Sequence, residues 1–466
     1  MSASLFFLGQ ADGSNVANLI QILFTNLSRP SGFLSFIAVL ITFLYTIGSK
    51  RGPLLAVSIV FFTLCFGYLD SNFFDNTLIG PLQALRDSSR PLTVIFLFSL
   101  CLSAPRTDRG WRMSFVLFAT LAFYVFQSMY LLRLLLAGES ARSILGILTN
   151  GLLFVGFVYG LGRRIQSQLD VDSILRALSI ASALFLACNI IQLGFGYGQA
   201  IGQGRFMGVS GNPQLAGFVS AVFVIVNCYS HSRSSLKSWM SYYHAIQIGL
   251  LLMLIVWSGS RMSALSVAVG LILFYRLRIG KILVFGIVSG IFLFIAVSLF
   301  PDSLAKVDRF TSGVDTRSAV WAARIDDFKS NPLFGTIGAQ QNDQEVNASE
   351  SSYLSTAALM GVTGLLLLAL TVFSMVTSAI KCWIHRRCTN FSTESADIVI
   401  AGIAMILFAS IFEGFFLGIL SMAVVFLYLL LIIAAYLLDA ASQPEDEAEL
   451  SDHEDESVQT IEAFVQ

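Results

Sequence analysis

Two arginines set in polar, glycine-rich surroundings are the residues of this chain best suited to do chemistry. Arg205 lies in GQGRFMGVSGNPQLAGF, residues 202–218, and Arg261 lies in WSGSRMSAL, residues 257–265. A guanidinium is always charged and offers a planar fork of N–H donors that matches phosphate oxygens. A glycine-rich turn lets backbone N–H groups approach the same oxygens. Such a pair could grip a diphosphate and stabilise it as it leaves in a transfer reaction. The plainer alternative is an arginine that snorkels from a span end or marks topology.

Other polar residues extend the set. Arg309, Arg317 and Arg324 occur in a long polar stretch, and Asn212 precedes Pro213 at a turn. Glu350 stands immediately before Ser351, Ser352 and Tyr353, where an apolar run begins. Glu413 sits in IFEGFF, marking either a polar cavity or a turn between two spans, with Arg133 as a candidate partner. Residues 316–330 read as a short amphipathic helix. Trp321, Ile325 and Phe328 share one face, Asp315 or Thr316 caps the start, and Asn331-Pro332 ends it. Arg317 and Arg324, seven apart, align on one side. The histidines are His231, His244, His385 and His453, and none falls near these motifs. A general base there would have to be a carboxylate, and Glu350 is the best placed.

What must position these residues is a membrane bundle. Of 466 residues, 56% are apolar and 12% charged; an ordinary soluble domain carries roughly a quarter charged. A bilayer accommodates that apolar surface, because each span satisfies its own backbone hydrogen bonds as a helix. Apolar runs of near-membrane length fall at 33–49, 53–69, 91–105, 113–132, 143–162, 173–193, 213–230, 243–259, 262–276, 281–300, 353–380, 397–413 and 415–438. Residues 15–28 are amphipathic and form either an interfacial helix or part of a further span. The expectation is an all-α polytopic integral membrane protein of about 12–14 transmembrane helices. It divides into an N-terminal bundle (1–300), a polar loop (301–352), C-terminal spans (353–440) and an acidic tail (441–466).

Alternate loops carry the bases. They are Lys50 and Arg51; Arg106, Arg109 and Arg112; Arg163 and Arg164; Arg233 and Lys237; Arg276, Arg278 and Lys281; and Lys381, Arg386 and Arg387. By the positive-inside rule these loops face the cytoplasm, so the 301–352 loop with its amphipathic helix faces the periplasm. The tail, on the cytoplasmic side, holds nine acids and no Lys or Arg; without those nine, 20 acids face 28 bases. It reads as a solvated, disordered appendage. The six cysteines show no metal or disulfide spacing, and no signal peptide is evident. No internal repeat is visible, which argues against a transporter or flippase for lipid-linked sugars. An envelope scaffold would leave the clustered arginines unexplained.

The motifs GRFMGVSGNPQLAG, WSGSRMSAL, RSAVWAARIDDFKSNPLFGTIG and ESSYLSTAALMGVTG, in that order around a long polar loop, resemble the O-antigen ligase/polymerase superfamily. The resemblance covers about residues 200–370 and is greatest to Wzy-type polysaccharide polymerases. It implies a GT-C-like fold and a metal-independent, inverting glycosyltransferase of the bacterial inner membrane, without cofactor. The implied donor is a glycan on undecaprenyl diphosphate. Implied partners are membrane lipids and the flippase and chain-length regulator of the same pathway, with no nucleic acid. Arg205 and Arg261 match the family arginines expected to grip the diphosphate, with Arg309, Arg317 or Arg324 assisting. Asn212, Tyr353 and Glu413 complete the expected substrate-binding set. Ligases carry a His ahead of the Gly-x-x-Gly that here is Gly361 and Gly364. This chain has Glu350 at that position, which points toward polymerase over O-antigen ligase or O-oligosaccharyltransferase.

Overall fold

The computed structural model describes residues 30–67, 78–103, 115–138, 140–202, 204–235, 238–278, 317–336, 351–386 and 393–441, with Gly280, Gly286 and Gly290. The amphipathic 15–28 segment, the apolar run 281–300 apart from Gly286 and Gly290, Arg309, Glu350 and residues 442–466 of the acidic tail lie outside the described residues. Twelve of the thirteen apolar runs correspond to helices among the described residues.

In chain order these are α1 (Pro30–Gly48), α2 (Gly52–Leu64), α3 (Gly80–Leu102), α4 (Phe115–Leu136) and α5 (Ser140–Val155). Then come α6 (Gln168–Phe195), α7 (Pro213–Arg233), α8 (Trp239–Ser258) and α9 (Arg261–Phe274). The polar α10 (Ser318–Ser330) precedes α11 (Ser352–His385), α12 (Thr393–Ala409) and α13 (Met422–Ala440). Seven helices are long and apolar enough to cross a membrane, and Leu34–Gly48, Gly52–Leu64 and Arg261–Phe274 are shorter apolar helices. The protein is an all-α, multi-pass membrane protein. Beta structure among the described residues is a two-stranded hairpin, β1 (Ile201–Gly202) antiparallel to β2 (Arg205–Phe206), with Gly202 paired to Arg205.

Patterning decides which helices lie inside. α13 is apolar on every side and is buried from Met422 through Ala434, as expected of a central helix. α7 is buried from Ala216 to Ser230 and packs on α6, α8, α9 and α12. α1 instead leaves Leu34, Phe36, Leu40, Ile41 and Leu44 exposed, the face a lipid chain would cover. α3 begins eleven residues before the apolar run starts. Its polar first turns hold because Gln83 donates to Asp87 at 2.9 Å and Ile79 N–H donates to Gln192 at 3.1 Å.

Buried polar groups fasten the helices to one another. The His244 ring and Asn227 Oδ1 lie 3.0 Å apart, and Ser179 donates to the same oxygen at 2.8 Å, joining α6, α7 and α8. Inside a bilayer such contacts contribute about 1 kcal/mol each. The described bases of the charged loops collect at one end of the bundle. Asp397 lies between Arg276 at 2.9 Å and Arg386 at 2.7 Å. Arg278 pairs with Glu394 at 2.8 Å, and Arg233 pairs with Asp172 at 2.9 Å.

α11 is broken one quarter of the way along. Gly361 has φ +65° and ψ −159°, so the helical ladder stops and restarts there. A chain inside a membrane must satisfy the freed backbone groups internally. The loop after α10 does this: Val362 N–H donates to Pro332 O at 2.8 Å, and Thr336 N–H donates to Ala358 O at 2.9 Å. Gly335 (φ +71°) packs on the Leu359 main chain, while Gly361 packs on that of Leu333. A Cβ on Gly361 would stand 2.5 Å from the Leu333 carbonyl carbon. Both positions need glycine for conformation and for space.

Candidate active site

The end opposite the charged loops gathers the starts of α7, α9, α11 and α13 with the ends of α6, α8 and α12. The 200–207 hairpin delivers Arg205 to it. Met207 N–H donates to Ala200 O at 2.9 Å, closing the hairpin, and Phe206 stacks on Trp257 with centroids 5.3 Å apart. Arg205, half-buried, then donates from Nε to the Ser258 carbonyl at 2.7 Å.

That carbonyl belongs to the turn that launches α9 at Arg261. Ser260 caps this helix, its hydroxyl accepting from Ser263 N–H at 3.3 Å. Arg261, also half-buried, is the first residue of α9, where the helix dipole presents its positive end. The two arginines found in separate sequence motifs therefore meet at one four-residue turn, Ser258–Arg261. Two fixed positive charges and a helix N-terminus there favour a multiply charged oxyanion.

Asn212 Oδ1 and the Tyr353 hydroxyl make structural hydrogen bonds. Asn212 caps α7, its Oδ1 accepting from Gln214 N–H at 2.8 Å and Leu215 N–H at 3.4 Å. Tyr353 donates its hydroxyl to Leu407 O at 3.2 Å and packs edge-on against Phe416. Ser351, next to Glu350, caps α11, accepting from Leu354 N–H at 3.4 Å.

α10 lies along the first half of α11 and brings Arg317 and Arg324 to this end. The sequence put Ile325 on one face with Trp321 and Phe328. The more sheltered residues of the helix are Arg317, Val320, Trp321, Arg324, Asp327 and Phe328, and Ile325 is 42% exposed. The helix begins at Ser318 with Arg317 at the cap position, not at 316. Arg317 Nη2 meets Glu413 Oε1 at 3.1 Å, and its guanidinium lies over the ring of Phe412. Glu413 marks the turn between α12 and α13, and its carboxylate pairs with Arg317 instead of the candidate Arg133. Arg324 makes a looser contact with Asp327 at 3.4 Å.

Of the histidines, His231 and His385 stand in the last turns of α7 and α11, toward the charged-loop end. His244 is tied up between α6 and α7. Among the described residues, no group of His, Cys, Asp or Glu could hold a metal ion.

Residues 247–369 match a family model described as O-antigen ligase. The match supports, over that segment, the likeness to the O-antigen ligase/polymerase superfamily. The matched segment contains Arg261, Arg309, Arg317, Arg324, Glu350 and Tyr353, while Arg205, Asn212 and Glu413 fall outside it. No curated protein matches the chain. The matched domain supports an activity of the ligase/polymerase type, with a lipid-linked glycan as partner.

Sequence reasoning missed two parts of the site. Ser258 supplies the carbonyl that orients Arg205, and nothing in its residue type announces that. The interlocked Gly335 and Gly361 fix α10, and the signal for them was present. Each follows an apolar stretch at a point where a helix or loop must turn, as NPLFG and LMG show.

Proposed function

We propose that this protein is a polysaccharide polymerase that moves a growing glycan from undecaprenyl diphosphate to a sugar hydroxyl of the next lipid-linked repeat unit. The observation that carries the proposal is the meeting of Arg205 and Arg261 at the Ser258–Arg261 turn, at the end of the bundle remote from the basic loops. The positive-inside rule supports assigning that end to the periplasmic side of the inner membrane, with the C-terminus in the cytoplasm.

In this reading the acceptor oxygen attacks the anomeric carbon of the donor as the bond from that carbon to the diphosphate oxygen breaks. Attack from the opposite face inverts the centre. Arg205 and Arg261 hold the diphosphate and offset the charge that grows on it as it departs. Arg317 and Arg324, with Arg309, extend the positive surface toward it. Glu350 accepts the acceptor proton. No metal is needed for charge neutralisation when two guanidiniums supply it. The flippase and the chain-length regulator enter only as partners on either side of this step.

Ligase is the second reading, favoured by the description of the matching family. The Glu350 in place of a histidine supports polymerase. The test is glycan length in a deletion strain complemented with Arg205→Ala, Arg261→Ala or Glu350→Gln. Single repeat units reaching the acceptor support polymerase; polymer accumulating on undecaprenyl diphosphate supports ligase. Long chains from all three variants at normal protein levels would refute the site.

A further inference from the structure

α10 is pinned at both ends, and the two pins differ in kind. Its C-terminal end is sewn into the α11 break by main-chain hydrogen bonds from Val362 and Thr336, at 2.8 and 2.9 Å. Its N-terminal end is held by side chains, through the Arg317–Glu413 pair at 3.1 Å and the Phe412 ring 5.5 Å from the guanidinium carbon. Both partners are sheltered, with side-chain exposures of 22% and 16%. Shelter strengthens an ion pair relative to one in open water.

Glu413 is engaged twice. While its carboxylate holds Arg317, its main-chain carbonyl accepts from Ser352 N–H at 3.1 Å and from Ser352 Oγ at 2.8 Å. Ser352 Oγ in turn accepts from Phe416 N–H at 3.2 Å. One residue of the α12–α13 turn therefore fixes the start of α10 and the start of α11, two residues after Glu350. A carboxylate beside an anionic diphosphate would repel it, so direct substrate contact is a poor use for Glu413. A half-buried carboxylate that neutralises and aims a neighbouring arginine is a good one.

We infer that Glu413 is a positioning residue, which orients Arg317 toward the diphosphate and holds the α10 and α11 starts in register. This rests on the proposed function for the identity of the anion, but the positioning itself does not depend on that identity. Without Glu413, Arg317 would regain part of the rotamer freedom that the pair removes.

The test uses the full-length protein in lipid nanodiscs with undecaprenyl diphosphate as the probe. It reads two quantities: affinity for the probe and amide hydrogen exchange across residues 318–330. Exchange across α13 serves as the control that each variant is folded. Glu413→Gln should speed exchange in α10 and weaken the probe about tenfold, while Glu413→Asp should lie between it and the wild type. The reversed pair, Arg317→Glu with Glu413→Arg, should restore slow exchange in α10 but not affinity for the probe. Unchanged α10 exchange in Glu413→Gln would overturn the inference. So would recovery of both quantities in the reversed pair, because the ion pair would then be a structural fastening only. Should the wild-type protein fail to bind undecaprenyl diphosphate, the proposed function falls, and the exchange measurements still decide the positioning.

Discussion

Arg205 and Ser258 come from different motifs, and a hydrogen bond of 2.7 Å from the arginine Nε to the serine carbonyl joins them. The bond uses one edge of the guanidinium to lock its plane and sets the group beside the Arg261 turn. Lysine keeps the charge but has neither the Nε donor nor the fork. Arg205→Lys is therefore expected to lower glycan transfer about tenfold or more at unchanged protein level. Transfer measured in membranes from a complemented deletion strain checks this; wild-type rates in the lysine variant would show that charge alone suffices.

Gly361→Ala should cost stability by two routes. The residue would need a left-handed φ, and its Cβ would meet the Leu333 main chain at 2.5 Å. Strain of this sort costs about 1–3 kcal/mol before the clash is counted. The expected outcome is a lower unfolding temperature in detergent and faster exchange in α10, whose anchoring loop is displaced. An α10 that stays protected would mean that the loop does not depend on the break.

Asn212 and Tyr353, expected in the substrate-binding set, also carry structural hydrogen bonds: Asn212 Oδ1 caps α7 and the Tyr353 hydroxyl donates to Leu407 O. Asn212→Asp should keep the cap and leave transfer near wild type, while Asn212→Ala should lose about 1 kcal/mol of stability. Tyr353→Phe should likewise cost about 1 kcal/mol with transfer retained. A large fall in transfer with full stability, in Asn212→Asp or Tyr353→Phe, would return that residue to the binding set.

The two arginines on Asp397 predict an asymmetry at the charged-loop end. Arg386→Gln leaves the acid paired with Arg276, so the loss should be modest. Asp397→Ala strands two nearly buried guanidiniums, and breaking such a cluster costs about 3–5 kcal/mol. Thermal unfolding of the two variants side by side decides it; equal destabilisation would contradict the shared-acid arrangement.

The spans, the short helix at 318–330 and the candidate arginines could all be read from the sequence, because each depends on local pattern. Apolar length sets a membrane helix, and Asn-Pro ends one. Apolar periodicity put Trp321, Ile325 and Phe328 on one face of α10 but could not show that Arg317 meets a distant acid on the α12–α13 turn. Arg133 was a plausible partner for Glu413 by composition; chain topology brought Arg317 instead.

By itself, then, the sequence determined an all-α membrane chain whose charge is segregated by loop and whose two foremost candidate arginines, Arg205 and Arg261, lie in glycine-containing polar turns. These follow from transfer free energies and turn chemistry, which act over a few residues. Only the tertiary structure decided that Arg205 is aimed by Ser258, that Glu413 belongs to Arg317, and that Gly335 and Gly361 interlock. Each of these is a contact between segments far apart in the chain, made where a buried polar group had to find a partner and the bundle offered one.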